Sequence, residues 1–133
     1  MLIEVIRAAR DATQKVNDTK AAMRDVCSVS SRSIIKYNGR SASHSDSVVT
    51  RVQILDCLEK QLTDDKNYAR ECLLRMEEEL KKVPDPTTRL LFRRRYYDNR
   101  KWDIAARSVG LSTAAAKMRC KRYTEQEVTQ NAA

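Results

Sequence analysis

Trp102-Asp103-Ile104-Ala105-Ala106-Arg107-Ser108-Val109-Gly110-Leu111-Ser112-Thr113-Ala114-Ala115-Ala116-Lys117-Met118-Arg119-Cys120-Lys121 is the stretch that decides the fold. Ile104, Ala105 and Val109 read as the inner side of a short helix. Gly110 follows where a helix ends in the left-handed conformation, which glycine adopts at little cost. Leu111 buries the turn, and the hydroxyl of Ser112 caps the next helix. Helix, glycine, apolar turn residue, cap and helix, in that order, is a helix-turn-helix. Ala105 is small where the two helices must cross.

The second helix of the pair has two kinds of face. Ala116 and Cys120, four apart, are expected inside against Ile104 and Leu111, with Tyr123 near them. Ser112, Thr113, Ala114, Lys117, Met118 and Lys121 make up the outer surface. Small residues at a helix start can approach base edges, and lysines supply charge to phosphates. Arg119 and Arg122 extend that surface, with Arg93 and Arg94 on the preceding helix as secondary candidates. An alanine run is also simply a good helix former, but turn, cap and charge agree on a helix that reads DNA.

Upstream, Val83-Pro84-Asp85-Pro86 is a junction. Pro84 ends one helix, Asp85 is a good N-cap, and Pro86 suits a first helical position. Helices are expected at about 86–98, 101–108 and 113–126, with 127–133 as a flexible tail. Before the junction, Leu2, Val5, Ala9, Ala12, Val16, Thr19, Met23 and Val26 recur at steps of three and four, widened by Ile3 and Ile6. Val48, Val52, Leu55, Leu58, Leu62, Tyr68, Cys72, Met76, Leu80 and Val83 form a second stripe, weakened at Thr63-Asp64-Asp65-Lys66. Between the stripes, residues 27–47 are rich in serine and contain Asn38-Gly39, which predicts a long basic loop with Ser45 or Asp46 capping the second helix. The expected class is all-α: a coiled-coil-like helical hairpin over 1–83, then a compact three-helix helix-turn-helix domain over 84–126.

The net charge of +8 is uneven. From Pro86 onward there are eleven Lys and Arg against four Asp and Glu, whereas residues 1–85 are nearly neutral. A basic end on a neutral body points to a polyanion partner. Cys27, Cys57, Cys72 and Cys120 make no CxxC pair and His44 is the only histidine, so no usual zinc spacing is present. Met1 leads into an amphipathic segment rather than an apolar run, so reduced cysteines, a cytoplasmic location and no membrane span are expected. No phosphate-binding glycine loop and no nucleophile-and-base pattern favour an enzyme, and no cofactor is expected.

Residues 86–123 resemble the fourth conserved region of the bacterial sigma-70 family and the related small regulators of bacteriophages. The likeness lies in Arg95-Tyr96-Tyr97-Asp98, Trp102-Asp103-Ile104-Ala105, Val109-Gly110-Leu111-Ser112 and Lys117-Met118-Arg119. Residues 40–85 look like the phage members as well, in the serine-rich loop, the long helix and the Pro-Asp-Pro junction. Where the family usually has Gly and a Ser or Thr cap before the aromatic residue, this chain has Asn99, Arg100 and Lys101. The resemblance implies a sequence-specific regulator of transcription that binds double-stranded DNA in a host bacterial cytoplasm, concerned with late or packaging genes, with host RNA polymerase or another host protein as a further partner. A homodimer through the hairpin is expected because such regulators match two half-sites. Two alternatives remain open at this point: a phage terminase small subunit, and a protein-binding inhibitor of a host nucleic-acid enzyme.

Overall fold

The computed structural model describes residues 1–36 and 41–132, with side chains described for 1–28 and 48–132. Five α-helices account for most of the described residues, and no strand occurs among them. They are α1 (Leu2–Lys36), α2 (Ser41–Lys81), α3 (Pro86–Phe92), α4 (Trp102–Ser108) and α5 (Thr113–Ala132). α1 and α2 pack against each other as a helical hairpin followed by the smaller helices. No helix among the described residues is long and apolar enough to cross a membrane.

Two compact units divide the chain, one made of Met1–Asp11 with Arg70–Ala133, the other of Ala12–Ala69. Leu2, Ile6 and Ala9 of α1 and Met76, Leu80 and Val83 around the end of α2 share one core with Leu91, Phe92, Ala106, Ala116 and Cys120. A three-helix domain this small has few large side chains of its own. Phe92 is the only large aromatic fully buried in it among the described residues, so it takes the apolar ends of the hairpin as part of its core. Each such aliphatic side chain contributes roughly 1.5–3 kcal/mol when fully buried.

In the second unit, Ala12, Val16 and Thr19 are buried on α1, and Asp65 and Ala69 on α2. The α1 stripe is as the heptad spacing predicts. The α2 stripe is not: Tyr68 is 56% exposed and Val52 60% exposed. Asp65 and Ala69 hold the inner positions there: 65, 69, 72 and 76 follow one another at steps of four, three and four, and Tyr68, though four before Cys72, falls at the edge of that face. The polar interruption in the stripe is thus a buried residue, and Thr19 of α1 donates to it.

The serine-rich loop expected over 27–47 is mostly helix. α1 continues to Lys36 and α2 begins at Ser41, ahead of the expected caps at Ser45 or Asp46. Serine costs only about 0.5 kcal/mol relative to alanine in a helix, and no proline interrupts the run. The remainder of the loop expectation, residues 37–40, lies outside the described residues, as do the side chains of Arg32, Ile34, Ile35 and Lys36. The expected flexible tail is also helix, since α5 runs to Ala132. A tertiary contact holds it: the Glu127 carboxylate accepts the Leu2 backbone N–H at 3.1 Å and lies 3.9 Å from the terminal ammonium.

Candidate nucleic-acid interface

Local capping sets the α3 end of the site. Asp85 accepts from the Thr87 N–H at 3.2 Å and from the Thr88 hydroxyl at 2.8 Å, with Pro86 in the first turn. After Phe92 the helix widens into one π-helical turn, Arg93–Tyr97. Asn99 closes it at φ 55°, a left-handed conformation that asparagine tolerates better than most residues. Asn99 thus supplies the chain reversal between the π-helical turn and α4. Lys101, at the cap position of α4, makes no side-chain cap hydrogen bond.

Helix α4 ends in a Schellman motif. The Leu111 N–H donates to the Ala106 carbonyl at 3.0 Å and the Gly110 N–H to the Arg107 carbonyl at 3.2 Å, with Gly110 at φ +74°. A Cβ on Gly110 would meet nothing within 4 Å, so glycine is needed for its backbone angle rather than for space. Ser112 Oγ then accepts the Ala115 N–H at 3.2 Å. Turn, glycine and cap agree with the sequence reading.

The inner faces require one correction. Ile104, expected inside against Ala116, is 44% exposed. Ala105 and Ala106 are buried instead, with Trp102 and Val109 half-buried at helical spacing from them. Phase decides this: positions 102, 105, 106 and 109 form one face, and 104 falls opposite. Ala116 is fully buried beside Ala106 and Cys120 in the shared core, and its small side chain lets α4 and α5 approach closely. Burial pushes the Cys120 thiol up to about 11.

Outside, Ala114, Lys117, Met118 and Lys121 are exposed on one face of α5, with exposed Ser112 at its start and Thr113 half-buried beside it. The other expected cations are more engaged. Arg119 Nη1 lies 2.8 Å from Asp85 Oδ2, tying α5 to the start of α3. Arg122, exposed, lines a cleft beside that pair with Val83, Pro84, Thr88 and Tyr123. Arg93 Nη2 donates to Glu77 Oε1 at 2.6 Å, and Arg94 lies 3.9 Å from Asp98. The structure therefore gathers Ser112, Thr113, Ala114, Lys117, Met118 and Lys121 on one surface, and gives Arg93, Arg94 and Arg119 intramolecular carboxylate partners.

Sequence reasoning missed Arg7 and Arg10. The Arg7 guanidinium sits 5.5 Å from the Tyr96 ring centre, and Arg10 Nη1 donates to the Tyr96 carbonyl and to Asn99 Oδ1. Both lie far from their partners along the chain, so no local pattern could have revealed them. Comparisons with family models, with curated proteins and with solved structures give no match.

Proposed function

We propose that the chain is a sequence-specific double-stranded-DNA-binding regulator of transcription, of the small phage sigma-like kind, with α5 lying in the major groove. The observation that carries the proposal is the exposed face Ala114, Lys117, Met118 and Lys121 on α5, which is braced from behind by buried Ala116 and held to α4 by the Gly110 turn. Short side chains at 113 and 114 leave room for base edges, and the lysines carry charge toward the flanking phosphates. Arg119 acts in this reading through Asp85, fixing the angle of α5.

Selection of bound sequences from a random duplex pool tests the proposal, with the variants chosen to separate folding from reading. Lys117→Ala keeps the melting temperature, since exposed substitutions usually stay within about 0.5 kcal/mol, and weakens binding to every sequence. Thr113→Val changes the preferred sequence more than the overall affinity, because base contacts specify and phosphate contacts position. If both variants bind every DNA as the parent does, α5 is not the reader.

One observation favours a second reading, in which the chain acts by binding protein. Val48, Val49 and Val52 are exposed on one side of α2, and such a patch suits a protein partner or a second copy of the chain. Tight capture of a host protein without DNA affinity would put this reading first. High oligomers with DNA affinity would favour a packaging subunit.

A further inference from the structure

We infer that α1 is part of the DNA interface: Arg7 and Arg10, together with Arg100 and Lys101, form a second strip that binds the phosphate backbone beside the bases read by α5. The inference rests on the DNA-binding reading above and extends it to a helix in the nearly neutral part of the chain.

Three observations carry it. First, the strip is assembled by tertiary contacts. Arg10 Nη1 bonds the Tyr96 carbonyl at 3.4 Å and Asn99 Oδ1 at 3.2 Å, which fastens α1 to the turn containing Arg100 and Lys101. Second, its cations are held by rings and carbonyls more than by carboxylates. Arg7 lies over Tyr96 at 5.5 Å. Arg95, behind the strip, lies over Tyr96 and Trp102 at 5.8 and 5.4 Å and donates to the Arg100 carbonyl at 3.1 Å. Aromatic and carbonyl contacts orient a guanidinium without cancelling its charge. Among the described residues Arg7, Arg95, Arg100 and Lys101 have no carboxylate within ion-pair distance; within the strip only Arg10 has one, Asp11 at 3.4 Å, and Asp98 lies with Arg94 at 3.9 Å. Third, the strip borders the start of α4. In a helix-turn-helix the first helix crosses the DNA backbone while the second enters the groove, so cations at this place meet phosphate rather than bases.

The test uses the full chain and random-sequence duplexes of about two helical turns, roughly 20 base pairs, with affinity measured across a salt series. Arg100→Gln/Lys101→Gln alters two exposed side chains outside the core, and Arg7→Gln/Arg10→Gln removes the α1 cations. Each pair should lower the log–log salt slope by about 0.9 for every phosphate it no longer neutralises, leaving the sequence selected by α5 unchanged. Because Arg7 and Arg10 also brace Tyr96, Arg7→Lys/Arg10→Lys is the control for folding, and it should keep most of the slope. Unchanged slopes in both glutamine pairs, with the parent protein binding normally, overturn the inference and leave the DNA reading standing. A parent protein without salt-dependent affinity overturns both.

Discussion

Thr19 Oγ1 of α1 donates a 2.8 Å hydrogen bond to Asp65 Oδ2 of α2, and both residues are buried. Lys15 Nζ, on the exposed side, lies 3.6 Å from the other carboxylate oxygen. A buried polar pair inside an otherwise apolar seam is satisfied in one register only, because sliding either helix leaves the carboxylate without its donor. Thr19→Val takes the donor from the Asp65 carboxylate and should cost about 1.5–3 kcal/mol in urea denaturation. Thr19→Val/Asp65→Ala should be less destabilised than the sum of the single changes, by about 1 kcal/mol. Strict additivity would show that the two side chains act independently.

Gly110 gives a prediction about backbone conformation alone. Gly110→Ala places no atom against a neighbour but forces a Cβ into the left-handed region, at a cost of about 1–2 kcal/mol. Gly110→Asn should lose less, since asparagine tolerates that region. Equal losses for the two, read as melting temperatures, would point to a steric cause instead.

Asp85 should make the α3 junction sensitive to acid. The Thr88 hydroxyl, above all, holds its carboxyl below the ordinary value of 3.8, with the Thr87 N–H and Arg119 adding to the effect. A depressed folded-state value means that the stabilisation is present above pH 3.8 and is lost as pH falls through the lower folded value. Asp85→Asn keeps a capping oxygen but loses the ion pair with Arg119, so its melting temperature should fall relative to the parent at neutral pH and approach it in strong acid. A difference independent of pH would contradict this.

The carboxy-terminal helix should contribute to stability. Removing residues 127–133 takes away the Glu127 carboxylate that accepts the first N–H of α1. The loss should be near that of an N-cap, about 0.5–2 kcal/mol. Glu127→Gln, which keeps an acceptor, should recover part of it. A truncated chain with unchanged stability would mean that the contact is not formed in solution.

Thiol reactivity should separate the cysteines. Cys57 is exposed, whereas Cys120 is buried, with its thiol pushed up to about 11. In mildly alkaline buffer an alkylating reagent should label Cys57 in the folded protein and Cys120 only after denaturation, as read by peptide mass. Prompt labelling of Cys120 in the folded state would mean that the core around Ala116 opens readily.

The sequence alone determined what depends on neighbours along the chain. The all-α class follows from spacing, the α3 start from Asp85-Pro86, the reversal at Gly110 from its missing Cβ, and the α5 cap from Ser112. Each needs only a few consecutive residues, so each could be read directly. The tertiary structure decided everything that depends on phase or distance. It turned Ile104 outward, drew Asp65 into a buried seam, paired Arg119 with Asp85 and Arg93 with Glu77, and set Arg10 against Asn99. It also joined the apolar ends of α1 and α2 to the small helices in one core. The physical reason is that hydrogen bonds within a helix fix its local geometry whatever surrounds it. Which face is buried, and which charges remain open to a partner, is fixed only when segments far apart in sequence compete for the same core.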